Sequence, residues 1–378
     1  PVESVSLDAG LGRVLRQAVR AARDLPPFAV SAMDGYAVRS ADTPGRLRLV
    51  GESAAGRGFA GVCGAGEAIR ISTGAAVPQG ADVIVIQEDA ARDGDWVRVP
   101  SAVPGRHIRP CGGDFMAGDV LLSPGMELDG AAMALAASSG AASLAVTRRP
   151  RVTILSSGDE LAAPGTAPGP WQIFDSVTFG VAGLIGEWGA TPQRLAVERD
   201  DVAAIARAAG QGQADGDLLV MIGGASVGDH DHARPALAKL GLTLAVEKVA
   251  VRPGKPTWFG MTPRGPVLGL PGNPASALVC AHLFLRPLLA AMLGRAPQPV
   301  FRRARLARAL AANGPREHYL RARWDGDKDG CLGVRAFDDQ DSSLISVFTT
   351  ANALIRLLPS TPALEQGAVV DVLMLGRT

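Results

Sequence analysis

"LLVMIGGASVGDHDH", residues 218–232, passes from five consecutive apolar residues into two glycines, a serine, another glycine and an alternation of Asp and His. An apolar run of that length closed by glycine reads as a strand. The same figure recurs on either side. "SSGDEL" (156–161) follows the apolar "RVTIL", and "GLPGNPAS" (269–276) follows another short apolar run. Between them, "DSVTFGVAGLIGEWG" (175–189) carries Val177, Val181, Leu184, Ile185 and Trp188 at helical spacing. "QRLAVE" (193–198) reads as a strand, and a helix from about Asp201 leads into 218–222. A helix over His232–Leu240 and a strand "LTLAVEKVAV" (242–251) complete the pattern. Strands alternating with helices of this length predict a doubly wound, mostly parallel α/β sheet, whose ligands bind beyond the carboxyl ends of the strands. The three glycine-bearing loops are therefore expected to line one crevice.

The 378 residues allow two to four domains. Leu7, Leu11, Val14, Leu15 and Val19 predict an amphipathic helix over 4–23. "AIRIST" (68–73) and "DVIVIQED" (82–89), set between Gly, Pro and Asp turns, predict a β-rich insertion. Residues 128–146 return to a helix followed by a strand, and the tail ("CLGVRAF", "ALIRLLP", "AVVDVLML") is β-patterned, as a small barrel-like domain would be. The expected division is 1–26 with 112–147 as a small α+β linking domain, 27–111 as the insertion, 148–296 as the α/β domain and 297–378 as the C-terminal domain. Lys and Arg number 38 against 37 acids, so no bulk field argues for nucleic acid. The longest apolar stretch, 277–293, is interrupted by His282, Arg286 and Pro287, which argues against a membrane span. The four cysteines are far apart with no CxxC pair, and no secretory signal pattern stands near Pro1, so a reducing cytoplasm is the expected setting.

Residue chemistry narrows the crevice. Gly223 and Gly224 let backbone amides converge on an anion and Ser226 adds a hydroxyl, so a phosphate is the natural guest, although consecutive glycines also serve simply to turn a chain. His230 and His232 have no third zinc ligand nearby, whereas Asp229 and Asp231 suit magnesium, which takes carboxylates together with phosphate oxygens. Asn273 and Pro274 fit the cap and first position of a helix whose free amides would face an anion. Arg252 and Lys255 stand on the stiff turn "VRPGKP". Glu160 and Asp200, each expected at a strand end, would repel unless a cation joined them. Asp34 in "SAMDGYAV" has apolar neighbours that would shelter it and raise its pKa for acid–base work.

"PPFAVSAMDGYAVRSAD", "IRISTGAAVPQGADVIVIQED", "GGDFMAGDVLLSPG", "SSGDEL", "GGASVGDHDH", "VRPGKP" and "GLPGNPAS" stand in the order found in the MoeA family, which the chain resembles along nearly its whole length. The resemblance implies a homodimer of four-domain subunits with a Mog/MoaB-like third domain, similar to the E domain of gephyrin. It implies magnesium-dependent insertion of molybdate into adenylylated molybdopterin with release of AMP. An adenylyltransferase and acceptor molybdoenzymes would be partners. Transferred residue by residue, Gly223, Gly224, Ser226 and Asp231 match the nucleotide and magnesium loop, and Glu160 and Asp200 its neighbouring acids. Lys248, Arg252 and Lys255 match the molybdate and terminal-phosphate cations, and Pro271, Asn273, Pro274 and Ser276 the proline loop. Asp34, Thr73 and Asp114 match polar positions of the first two domains, while Arg316, Arg321, Ser342 and Ser343 match C-terminal anion contacts. The chain departs from the family at Ala29-Val30, where Asp-Asn is usual, at Val177 in place of Asn, and at Cys111 and Gly113 in place of Arg and Glu. Two alternatives remain open: a binding or scaffold homologue with weakened turnover, and a molybdopterin adenylyltransferase.

Overall fold

A computed structural model describes residues 1–223, 232–296, 301–325 and 333–376, which fall into two compact units, Pro1–Val146 and Thr147–Thr378. In the first unit a six-stranded sheet runs in the order Val83–Ile86, Gly35–Val38, Glu67–Ile71, Gly45–Ser53, Trp96–Val99, Ala91–Asp93. Alternating side chains serve its two faces. Tyr36, Val38, Ala68 and Val85 fill one cluster, and Ala37, Ile69, Ile71 and Ile84 fill the other. A separate core joins Leu15 and Val19 to Leu122, Leu128, Ala132 and Val146, bringing together segments from both sides of the inserted sheet. Its helix, Gly130–Ser138, is capped by Asp129, whose Oδ1 accepts the Ala132 amide at 2.8 Å.

The helix expected over 4–23 is absent. Val2–Ser6 is a strand, Leu7–Ala9 a single 3₁₀ turn, and Val19–Arg20 a strand paired with Val120–Leu122. Gly10 and Gly12, the latter at φ +71°, weaken any helix through this segment by roughly 1 kcal/mol each relative to alanine. Val14 and Leu15 instead form β-bridges to Glu127 and Val146. Helical spacing of the apolar residues was thus satisfied by an irregular strand.

The second unit is built on a six-stranded sheet ordered Thr191–Arg194, Arg151–Ser156, Leu218–Ile222, Gly265–Leu270, Trp258–Thr262, Thr243–Val246. The first four strands are parallel, Trp258–Thr262 runs antiparallel to them, and Thr243–Val246, antiparallel to Trp258–Thr262, returns to their direction. Residues 218–222 form a strand, as expected, and are buried on both faces. Val220 and Ile222 pack with Val181, Ile185 and Leu285 on one side, while Leu219 and Met221 meet Ile205, Ala209 and Leu237 on the other. Pro274–Leu293 has the length and apolar composition of a membrane span, but 61% of its most apolar window is buried in the protein, as befits a core helix. "LTLAVEKVAV" is not one strand. Thr243–Val246 ends the α/β sheet, whereas Val251–Arg252 pairs in parallel with Glu317–His318 of the C-terminal sheet. That sheet closes through Glu317–Asp325 pairing with both Gly333–Ala336 and Ala353–Leu357, giving a barrel filled by Leu306, Ala322, Val334, Ile355 and Val372.

Gly269 shows how tightly the sheet is packed. It lies opposite Trp258, and a Cβ there would fall 2.0 Å from the indole. Gly269→Ala is expected to destabilise this unit by about 1–3 kcal/mol through overpacking. Urea unfolding followed by tryptophan fluorescence measures the loss; an unshifted midpoint would refute the packing argument.

Candidate active site

The loops following residues 156, 222 and 270 do converge. Ser156, Ser157, Gly158, Glu160, Gly223 and the segment Pro271–Pro274 line one crevice of about 930 Å³ at the carboxyl ends of the parallel strands. Gly223 needs its freedom: it sits at φ +83°, and a Cβ would approach Ser157 O to 2.9 Å. Gly224, Ser226 and Asp231 lie outside the described residues.

Cations and carboxylates share this crevice. Lys248 and Lys255 line it, as do Glu160 and Asp200. Asp200 is not at a strand end, because the strand stops at Arg194 and Asp200 belongs to the irregular segment before the Val202–Asp215 helix. The cap of that helix is Asp201, whose Oδ1 accepts the Ala204 amide at 2.6 Å. Among the described residues no group of three His, Cys, Asp or Glu side chains is clustered to hold a metal alone.

Three lining groups carried no sequence signal. Arg234 reaches the crevice from the Ala233–Ala238 helix, with Nη2 donating to Glu247 O at 3.0 Å and its guanidinium 5.9 Å from the Trp258 ring. Glu247 lines the wall beside Lys248. Asp175, 2% exposed, accepts from the Thr178 amide and hydroxyl, and Arg194 lies 3.9 Å away. Such contacts depend on which helix faces the crevice, which spacing does not reveal. Ile173, Phe174 and Val177 add apolar side chains to the lining.

The proline loop differs from the sequence expectation in one respect. Asn273 occupies the cap position, but its Nδ2 donates to Ser342 Oγ at 3.0 Å instead of its oxygen capping the helix. The Ala275 amide is given to Ser342 O at 3.0 Å, and Pro274 has no amide proton. Ser342 therefore stitches the helix start to the C-terminal domain and occupies an amide that sequence reasoning left for an anion. Ser276 is 4% exposed, while Ser343 lines the crevice.

Arg252 is exposed on the strand beside the C-terminal barrel and is not among the crevice-lining residues. Arg316 is half-buried nearby, with Nη1 donating to Val251 O at 3.4 Å. Burial, reinforced by the charges of Arg252, Arg316 and Arg321, pushes His318 down to about 4, so this imidazole is neutral at physiological pH inside a positive field. Arg321 is 1% exposed. Its guanidinium donates to Leu344 O and Asp341 O, both at 2.9 Å, and to Gln340 Oε1 at 3.3 Å. Its immediate work is to hold the 339–344 segment.

In the first unit, Asp34 is exposed, not sheltered, and its Oδ1 accepts from the Thr73 amide at 2.6 Å and hydroxyl at 2.9 Å. These bonds lower its pKa below 3.8, opposite to the expected rise. Any stabilisation they give is present above the unfolded-state value and lost as pH falls through the still lower folded value, so neutral pH leaves it intact. An NMR titration should place the Asp34 midpoint below 3.8, with Thr73→Ala moving it upward; a midpoint above 3.8 in the native protein would contradict the geometry. Asp114 is also exposed, its amide donating to Leu25 O at 2.9 Å.

Comparison with known proteins places this architecture. Residues 1–140 match the MoeA N-terminal region (domain I and II), 153–291 a probable molybdopterin binding domain, and 303–375 the MoeA C-terminal region (domain IV). A molybdopterin molybdenumtransferase of Nostoc is 37% identical, covering 84% of this chain and 76% of that protein. One from Haemophilus influenzae is 32% identical, covering 98% and 93%. The crystal structure of a molybdopterin biosynthesis MoeA protein from Pyrococcus horikoshii superposes with a TM-score of 0.87 at 30% identity, covering 100% of this chain and 95% of that one. With all three regions in order and this level of identity over nearly the full length, the chain belongs to the MoeA family, the molybdopterin molybdenumtransferases of molybdenum cofactor biosynthesis.

Proposed function

We propose that this chain inserts molybdate into adenylylated molybdopterin with magnesium-dependent release of AMP, working as a cytoplasmic homodimer. The observation that carries the reading is that Lys248, Lys255 and Arg234 line the same crevice as Glu160, Asp200 and the Gly223 turn. Cations on fixed turns neutralise an oxyanion and a terminal phosphate, and backbone at a glycine turn can approach a phosphate closely. Glu160 and Asp200 fit magnesium by donor chemistry: they are hard oxygen ligands in one cavity, without ion-pair partners among the described residues. With Asp231 they would hold the ion, which when bound supplies charge neutralisation at the phosphoanhydride. Lys255 then orients molybdate, while Arg234 and Lys248 hold negative charge in place.

A second reading has its own support. Val177, 7% exposed, joins Ile173 and Phe174 in the crevice lining, at a position where the resembled family carries an amide. A weakened homologue that binds nucleotide but turns over poorly would look the same at its phosphate end. Incubation with adenylylated molybdopterin, molybdate and magnesium separates the two. Release of AMP in step with active cofactor is the expected result, whereas nucleotide binding without AMP release would favour the weakened homologue.

A further inference from the structure

The turn that carries Lys255 is held from behind by a group outside the crevice. It leaves the Val251–Arg252 strand, which is paired to the barrel, and returns into Trp258–Thr262 of the α/β sheet. Two backbone bonds close it, Thr257 N–H to Gly254 O at 3.0 Å and Val249 N–H to Lys255 O at 3.1 Å. Its inner side rests on Cys280, the last residue of the Pro274–Cys280 helix segment whose first residue lines the crevice. Cys280 Sγ stands 3.9 Å from both Pro253 O and Gly254 O. Thr257 Oγ1 lies 3.2 Å from this sulfur and 2.8 Å from Gly254 O. Gly254 adopts φ +113°, and a Cβ there would fall 2.1 Å from Cys280 Sγ. The sulfur therefore occupies the space that any side chain at residue 254 would need.

We infer that Cys280 is a positioning residue for the oxyanion site: its sulfur, packed against Gly254 and bonded to Thr257, sets where the turn presents Lys255 relative to the Pro271–Pro274 loop. The inference rests on the reading of Lys255 as an oxyanion contact. Three features support a mechanical role. Cys280 is fully buried, and burial pushes its thiol up to about 12, so it supplies neither charge nor nucleophile at neutral pH. It belongs to the rigid core helix that also delivers Pro274, so it couples two walls of the crevice. A cation on a flexible stem loses affinity when its base moves, because the side chain must then reorder to reach the anion. Serine at this position keeps a small acceptor for Thr257, whereas alanine removes both contact and acceptor.

The test uses the full chain and compares Cys280→Ser, Cys280→Ala, Gly254→Ala and Lys255→Ala. Calorimetry with sodium molybdate, and separately with AMP and magnesium, reads the two ends of the crevice. Hydrogen exchange of the 250–258 peptide reads the turn without any ligand. Cys280→Ala and Gly254→Ala are expected to weaken molybdate binding about tenfold, with AMP affinity within about twofold and faster exchange in the turn. Cys280→Ser should restore most of the affinity. Unchanged molybdate affinity in Cys280→Ala, while Lys255→Ala loses it, would overturn the positioning role and leave the site reading standing. Equal losses for molybdate and AMP would also overturn it, because the effect would then be general loosening. If Lys255→Ala itself binds molybdate normally, the site reading fails and the inference falls with it.

Discussion

Lys255→Ala is expected to raise the dissociation constant for molybdate by about 10- to 100-fold, equivalent to the roughly 1.5–3 kcal/mol of one charge-assisted contact. AMP affinity should change by about twofold or less, because on the proposed reading the adenylate would rest mainly on backbone and on groups of other loops. The geometry motivates this asymmetry. Lys255 lines the crevice on a turn whose backbone is fixed at both ends, whereas Arg252, three residues earlier and like it exposed, is not among the lining residues and stands on the strand joined to the barrel. Arg252→Ala should accordingly alter molybdate binding far less than Lys255→Ala does. Calorimetry with molybdate on both variants checks this. If the two variants weakened molybdate equally, the crevice would not be the oxyanion site.

Arg321→Met is expected to destabilise the second unit by about 3 kcal/mol, a large value for one substitution. The arginine is 1% exposed and its guanidinium satisfies the carbonyls of Asp341 and Leu344 together with Gln340. Methionine fills similar space but leaves those acceptors without a donor, and part of that penalty returns through water because Asp341 is exposed. The same change should loosen the proline loop, since the held segment includes Ser342, which receives Asn273 and the Ala275 amide. Lysine should rescue poorly, because one ammonium cannot reproduce the guanidinium fork. Denaturant unfolding and calorimetry on the same variant decide the role. Unchanged stability with lost molybdate affinity would make Arg321 a direct anion contact, as the family resemblance implied.

Much of this protein was legible from residues in a line. The apolar run 218–222 read as a strand of a mostly parallel, doubly wound sheet, and it is one, with all five residues buried. The glycine-bearing loops after 156, 222 and 270 were placed in one crevice by the parallel topology alone, since parallel strands end together. Ordered motifs then identified the family. What sequence could not determine was the direction of individual side chains and the partners they found across the fold. Spacing suggested a helix over 4–23, but Gly10 and Gly12 and the pairing of Val19–Arg20 with Val120–Leu122 made it irregular strand. Apolar neighbours suggested a sheltered Asp34, yet the chain turns its carboxylate outward to Thr73. Asn273 was rightly placed at a helix start, but its amide went to Ser342, 69 residues away. The physical reason is common to all three. Periodicity and turn chemistry act over a few residues and set elements and their order, whereas burial, charge partners and hydrogen bonds are decided by contacts that exist only once distant segments have packed.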